Sequence, residues 1–131
     1  MKKLTLLLIL FPLLLRAEEG CNKPESSSHA FECSRTVWEK SDRQLNEAYK
    51  QLLAAVSSSY QTEPQLKQEY LNKLRLSQRA WLSYRDKNCE VAVFPFDSDT
   101  IARETSLNYC RSEMTRDRIM GLNDFLKELA G

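Results

Sequence analysis

The chain has 131 residues, with 19 lysines and arginines against 18 aspartates and glutamates, and a formal net charge of +1. That balance excludes the strongly basic footprint of a nucleic-acid binder, and the length limits the globular part to one domain with a modest core. Glycine is scarce and β-branched residues are thin through the middle of the chain, so helix is favoured.

Met1-Lys2-Lys3 opens the sequence, Leu4 to Leu15 follow almost without a polar group, and Arg16-Ala17-Glu18-Glu19-Gly20 close the run. An apolar stretch this short, broken by Pro12, falls below the roughly 20 residues a spanning helix needs. It reads as a secretory leader, residues 1–17, cut after Ala17 to leave a domain at 18–131. Glu18-Glu19-Gly20 departs from the aliphatic and small residues that precede a lipidated cysteine, which argues against a lipid anchor on Cys21. Loss of Lys2, Lys3 and Arg16 takes the balance to 16 basic and 18 acidic groups, a charge of about −2. The expected location is the periplasm or the exterior, without stable membrane insertion.

Four cysteines remain: Cys21, Cys33, Cys89 and Cys110. An even count in a small exported chain reads as a disulfide framework, and the close C-x-x-C pairs of zinc sites are missing. Four cysteines allow three pairings. The local pairs, Cys21 with Cys33 and Cys89 with Cys110, close the shortest loops and order the least chain in forming.

Helical periodicity places Phe31, Trp38, Leu45, Tyr49, Leu52 and Val56 on one stripe of a first helix, about Ser27 to Val56. Cys33 sits on its flank. Ser57-Ser58-Ser59 to Pro64 form a break, and Pro64 suits the first turn of a second helix. That helix carries Leu66, Tyr70, Leu74, Ser77, Trp81 and Tyr84 on one side and ends between Cys89 and Val93. After Phe94-Pro95-Phe96-Asp97-Ser98, a third helix from about Asp99 to Leu129 aligns Leu107, Met114, Leu122, Phe125 and Leu129, with Asp99 as its expected N-cap. The predicted fold is all-α, an antiparallel three-helix bundle stapled by two disulfides, with all four cysteines at one end.

Arg85 and Arg118 fall on the inward stripes and need partners, because an unpaired charge loses its hydration there. Asp42, beside Trp38, Leu45 and Tyr49, is the inward acid expected to pair with one of them. Motifs for catalysis fail in turn. His29 is the sole histidine and reads as a surface residue, so neither a serine–histidine–aspartate triad nor a histidine metal site can be assembled. No glycine-rich phosphate loop, nucleophile elbow or H-E-x-x-H helix occurs. No cofactor or metal is expected, and the chain does not read as an enzyme.

Three strings carry a resemblance. They are Cys33-x3-Val37-x4-Asp42-x2-Leu45-Asn46-x2-Tyr49-x2-Leu52, then Gln78-x2-Trp81-x2-Tyr84-Arg85-Asp86-x2-Cys89, then Cys110-x4-Thr115-x2-Arg118-x3-Leu122. Together they resemble the LprI-type lysozyme inhibitor family over nearly the whole mature chain. The resemblance implies an exported helical domain with disulfides Cys21–Cys33 and Cys89–Cys110, and the binding and blocking of lysozyme. It also implies a scaffold role for the motif: Trp81 and Tyr84 in the core, Arg85 and Arg118 in ion pairs. The chain departs from the family at the loop before Cys110, often glycine-rich, where Phe94 to Asp99 contain no glycine.

The function expected is inhibition of lysozyme or a related peptidoglycan-cleaving glycosidase, whose cleft holds two catalytic carboxylates. Phe94, Phe96, Asp97 and Asp99 are the candidate partner contacts. The alternative is a non-enzymatic envelope adaptor that binds another exported protein.

Overall fold

The computed structural model describes residues 20–131; the expected leader, residues 1–17, lies outside them. A short 3-10 turn, Gly20–Asn22, precedes three helices: α1 (Ser27–Ser59), α2 (Pro64–Ala92) and α3 (Ile101–Ala130). The described residues contain no strand, and the three helices pack on one another as a bundle.

Local chemistry sets each boundary. Ser26 caps α1, its hydroxyl accepting from the His29 amide at 3.1 Å. The helix outruns Val56: the polar serines continue it to Ser59, with Ser57 donating back to the Leu53 carbonyl at 2.8 Å, before the chain turns at Tyr60. Pro64 occupies the first turn of α2, where a missing amide hydrogen costs nothing. Asp99 does not cap α3. Its backbone is left-handed, φ 61°, and Thr100 takes the capping role, its hydroxyl accepting from the Arg103 amide at 3.2 Å. Aspartate tolerates that conformation better than most residues, while threonine supplies the extended backbone and the acceptor of an N-cap.

Helices α1 and α3 run in the same direction. Asn108 donates to the Ser34 hydroxyl near the start of both, and Gln51 and Asn123 share a groove farther along. Ser34, Trp38, Ser41, Leu45, Ala48 and Leu52 form the α1 side of this seam, and Asn108, Ser112, Thr115, Ile119, Leu122 and Leu126 the α3 side. Both sets alternate steps of four and three residues, the spacing that keeps two long helices in contact. Helix α2 lies antiparallel to α3, joined by Cys89–Cys110 and by contacts from Arg85 to Thr115 and from Arg118 to Gln78.

Core composition changes along the axis. Leu45, Ala48, Leu52, Val56, Leu74 and Leu122 fill the half away from the cysteines. Toward the cysteines the buried residues are Ser34, Ser41, Gln78, Arg85, Asn108, Ser112 and Thr115, with a small apolar cluster of Cys89, Val93 and Leu107. Small side chains let the helices approach, and the serines satisfy their hydroxyls on carbonyls of their own helix: Ser34 on Phe31, Ser41 on Trp38 and Ser112 on Asn108. Among the described residues, no buried side-chain nitrogen or oxygen lacks a partner.

The two disulfides are Cys21–Cys33 and Cys89–Cys110, both in the polar half, and no described cysteine is free. They close loops of 12 and 21 residues. Loops of this size restrict the unfolded chain by roughly 3 kcal/mol each.

Three inward assignments fail. Tyr84 is 60% exposed, and Leu66 and Phe125 also face outward in part. The stripe through Leu74, Gln78, Arg85 and Cys89 is the buried one, with Trp81 half-buried beside it. Leu52→Ala is expected to cost about 2–5 kcal/mol in urea unfolding, while Tyr84→Ala stays within about 0.5 kcal/mol of the parent; a large loss for Tyr84→Ala would restore its core role.

Candidate functional site

Two clusters gather the residues singled out by the sequence. The first is a ladder of cations and indoles that crosses all three helices. The Arg85 guanidinium carbon lies 4.6 Å from the Trp38 ring centre and 5.3 Å from that of Trp81. Arg111 lies 5.9 Å from Trp38, and Arg118 lies 5.8 Å from Trp81. The order is therefore Arg111, Trp38, Arg85, Trp81, Arg118. Guanidinium groups keep more of their stability against an aromatic face than ammonium groups do, because they are planar and weakly hydrated.

Arg85 is 5% exposed and the most constrained member. Its Nε donates to Asp86 Oδ1 at 2.9 Å, and one terminal nitrogen donates to the Thr115 hydroxyl at 3.4 Å. Asp42 pairs with it only at 4.0 Å, with 45% of the carboxylate side chain exposed. Asp86 also lies 3.8 Å from Arg111 Nε, so one carboxylate serves two arginines.

Arg118 is not in an ion pair among the described residues. Its Nε donates to Gln78 Oε1 and a terminal nitrogen to Ser77 Oγ, both at 3.0 Å. Burial lowers its pKa, and the nearby Tyr49 opposes that shift. The expected choice between two arginines for Asp42 thus resolves to Arg85, and the second arginine has neutral partners instead. Asn46 is exposed, and Tyr49 packs half-buried on the apolar core.

The second cluster is the loop between α2 and α3. Val93 is buried against Cys89 and Leu107 and anchors it. The amides of Phe94 and Phe96 donate to the Val91 and Val93 carbonyls, and the Thr100 hydroxyl donates to the Asp97 carbonyl at 2.9 Å. On this fixed backbone Phe94 is 86% exposed, with Phe96, Val91 and Ile101 partly exposed around it. An open groove runs between Glu90, Val91, Phe94, Phe96 and Arg103. Asp97 and Asp99, the chain neighbours of its lining residue Ser98, are exposed.

From Glu90 to Glu104 the chain carries Glu90, Asp97, Asp99 and Glu104 against Arg103 alone, a local charge of −3. Arg103 pairs with Glu90 and with Glu104. The aromatic pair is therefore framed by acids. Sequence reading missed Arg103 and Glu90, whose pairing spans the loop and has no motif spacing, and it missed Arg111 because that residue lies beside the apolar stripe.

One grouping of metal-ligand types occurs among the described residues: Cys21, His29 and Cys33, with ligand atoms within 4.8 Å. The two sulfurs are joined in the disulfide and are not thiolates, and His29 Nδ1 accepts from the Glu25 amide. The chemistry is that of a staple.

The ladder predicts unequal costs for its acids and its central cation. Arg85→Ala is expected to destabilise the fold by about 3 kcal/mol through stranded indoles and the loss of a buried pair, whereas Asp42→Ala costs under about 1 kcal/mol. Thermal unfolding of both variants checks the order; equal losses would mean that Asp42 is the true partner.

The profile of the family described as lysozyme inhibitor LprI matches residues 21–122, which contain both clusters and all four cysteines. The chain is 27% identical to the uncharacterized protein R02472 of Rhizobium meliloti over 84% of its own length and 81% of that protein's. It is 33% identical to the uncharacterized protein YecT of Escherichia coli over 74% of its length, a match that spans 58% of the Escherichia coli protein. The crystal structure of a DUF1311 family protein from Pseudomonas putida has the same fold, with a TM-score of 0.68 at 20% identity, covering 77% of this chain and 94% of that one. With its stapled three-helix fold and a profile match over most of its length, the chain belongs to the lysozyme inhibitor LprI family.

Proposed function

We propose that the chain is exported, loses residues 1–17, and binds and inhibits a lysozyme or related peptidoglycan-cleaving glycosidase through the loop at its stapled end. The family supports the activity. Two disulfides suit an oxidising compartment, and no helix among the described residues is long and apolar enough to cross a membrane.

The observation that carries the reading is the exposed Phe94 inside an acidic frame. An exposed aromatic on a backbone already fixed by hydrogen bonds and a disulfide loses little freedom on binding, so more of its burial appears as affinity. The acids of the frame favour a basic partner and speed its encounter. Many lysozymes are basic. Phe96, Asp97 and Asp99 flank the anchor.

In a turbidity assay of lysozyme on cell walls, the mature chain is expected to inhibit at micromolar excess. Phe94→Ala is expected to weaken inhibition at least roughly tenfold with no change in melting temperature, and added salt to weaken it further. Full inhibition by Phe94→Ala would remove the loop from the interface; no inhibition of several lysozyme types by the parent would overturn the function and leave an adaptor role.

A further inference from the structure

A hydroxyl in a helix can donate to the carbonyl one turn back. Ser34, Thr36, Ser41, Ser57, Thr105 and Ser112 do so at 2.7–2.9 Å. Thr115 and Ser77 instead accept from an arginine, Arg85 and Arg118 respectively. Thr115 is buried, whereas Ser77 is exposed, so its own hydrogen is open to an acceptor from outside. A hydroxyl that accepts from a cation is a stronger donor through its remaining hydrogen.

Arg118 is unusual as well. The other buried or half-buried arginines, Arg85, Arg103 and Arg111, each have a carboxylate within 4.0 Å. Arg118 has only Gln78 and Ser77, although burial disfavours its charge. A cation held partly out of water without a counter-ion is poised to take one from solution.

Next to Ser77 the surface between α2 and α3 opens into a pocket of about 230 Å³ lined by Tyr70, Lys73, Leu74, Ser77 and Phe125. Leu74 is buried and Phe125 half-exposed, so the pocket has an apolar surface to cover. Lys73 stands at the rim, 3.3 Å from Glu69 in a pair exposed enough to exchange partners. The volume falls below the roughly 300 Å³ at which sites for whole drug-sized molecules begin. One apolar group fits.

We infer that this pocket binds a small monocarboxylate with an apolar body: the carboxylate accepts from the Ser77 hydroxyl, backed by Arg118 and flanked by Lys73, and the body lies on Leu74 and Phe125. The nearby acids select against higher charge, Glu69 at Lys73 and Glu128 acting on Tyr70. The site lies in the half of the bundle away from the Phe94 loop and does not rest on the inhibitor reading.

The test titrates the isotope-labelled mature chain with phenylacetate and, separately, with the uncharged phenylacetamide, following the amide signals of residues 70–77 and the Trp81 indole by NMR. Phenylacetate is expected to give saturable shifts there, with phenylacetamide roughly tenfold weaker or more. Ser77→Ala and Arg118→Gln are expected to bring the acid down to the level of the amide while leaving the amide unchanged. Equal binding of acid and amide, acid binding unaffected by Ser77→Ala, or no shift up to about 10 mM would overturn the site. Should Arg118→Gln unfold, the exposed Ser77→Ala carries the test alone. Ser77→Ala is expected to keep any lysozyme inhibition of the parent, which separates this site from the loop.

Discussion

Everything in this bundle depends on how closely α1 and α3 approach along their shared seam. In the half near the cysteines the buried seam residues are Ser34, Ser41, Asn108, Ser112 and Thr115. Such residues allow near backbone contact but bring little apolar area, and each polar atom must find a partner before water is removed. The chain meets that demand locally, through serine bonds to carbonyls of the same helix and the Asn108–Ser34 bond between helices. Little hydrophobic driving force remains for this half. Both disulfides lie there, and the leucines that drive folding lie in the other half.

Arg85 follows from the same arrangement. A seam of small residues leaves space on its α2 side, and the two indoles and the Arg85 guanidinium fill it, the guanidinium within reach of both rings. Charge there is tolerated because Asp86 accepts directly and the aromatic faces replace water. Trp81, Arg85, Asp86 and Thr115 meet at one level of the bundle, although Thr115 is thirty positions from Arg85 in sequence.

Much of the fold was legible in the sequence. Pro64, Pro95 and the apolar periodicity locate three helices within a few residues, and short loops dictate neighbours. The disulfide pairing favoured by loop length is the one present. The failures have specific causes. Tyr84 sits on the correct side of a helical wheel, yet α2 turns its Gln78–Arg85 edge inward, and a polar edge in the core carries no hydropathy signal. Asp99 and Thr100 both have capping chemistry; the left-handed turn that excludes Asp99 comes from the loop's path. Arg118 resembled an ion-pair member because its partners, Ser77 and Gln78, are neutral and lie on another helix. The Phe94–Phe96 loop was recognisable as a candidate contact, but its acidic frame needed Glu90 and Glu104 brought to the same end.

The parallel course of α1 and α3 has an electrical consequence. Two helix N-termini lie at the stapled end and only one C-terminus, and each helix end carries about half a unit of charge from its aligned peptide dipoles, positive at the N-terminus. The backbone therefore presents a net positive field to Asp97, Asp99 and Glu104, which gather at the start of α3. That field offsets their mutual repulsion. A short loop can thus carry a cluster of like charges because the scaffold itself supplies part of the opposing field.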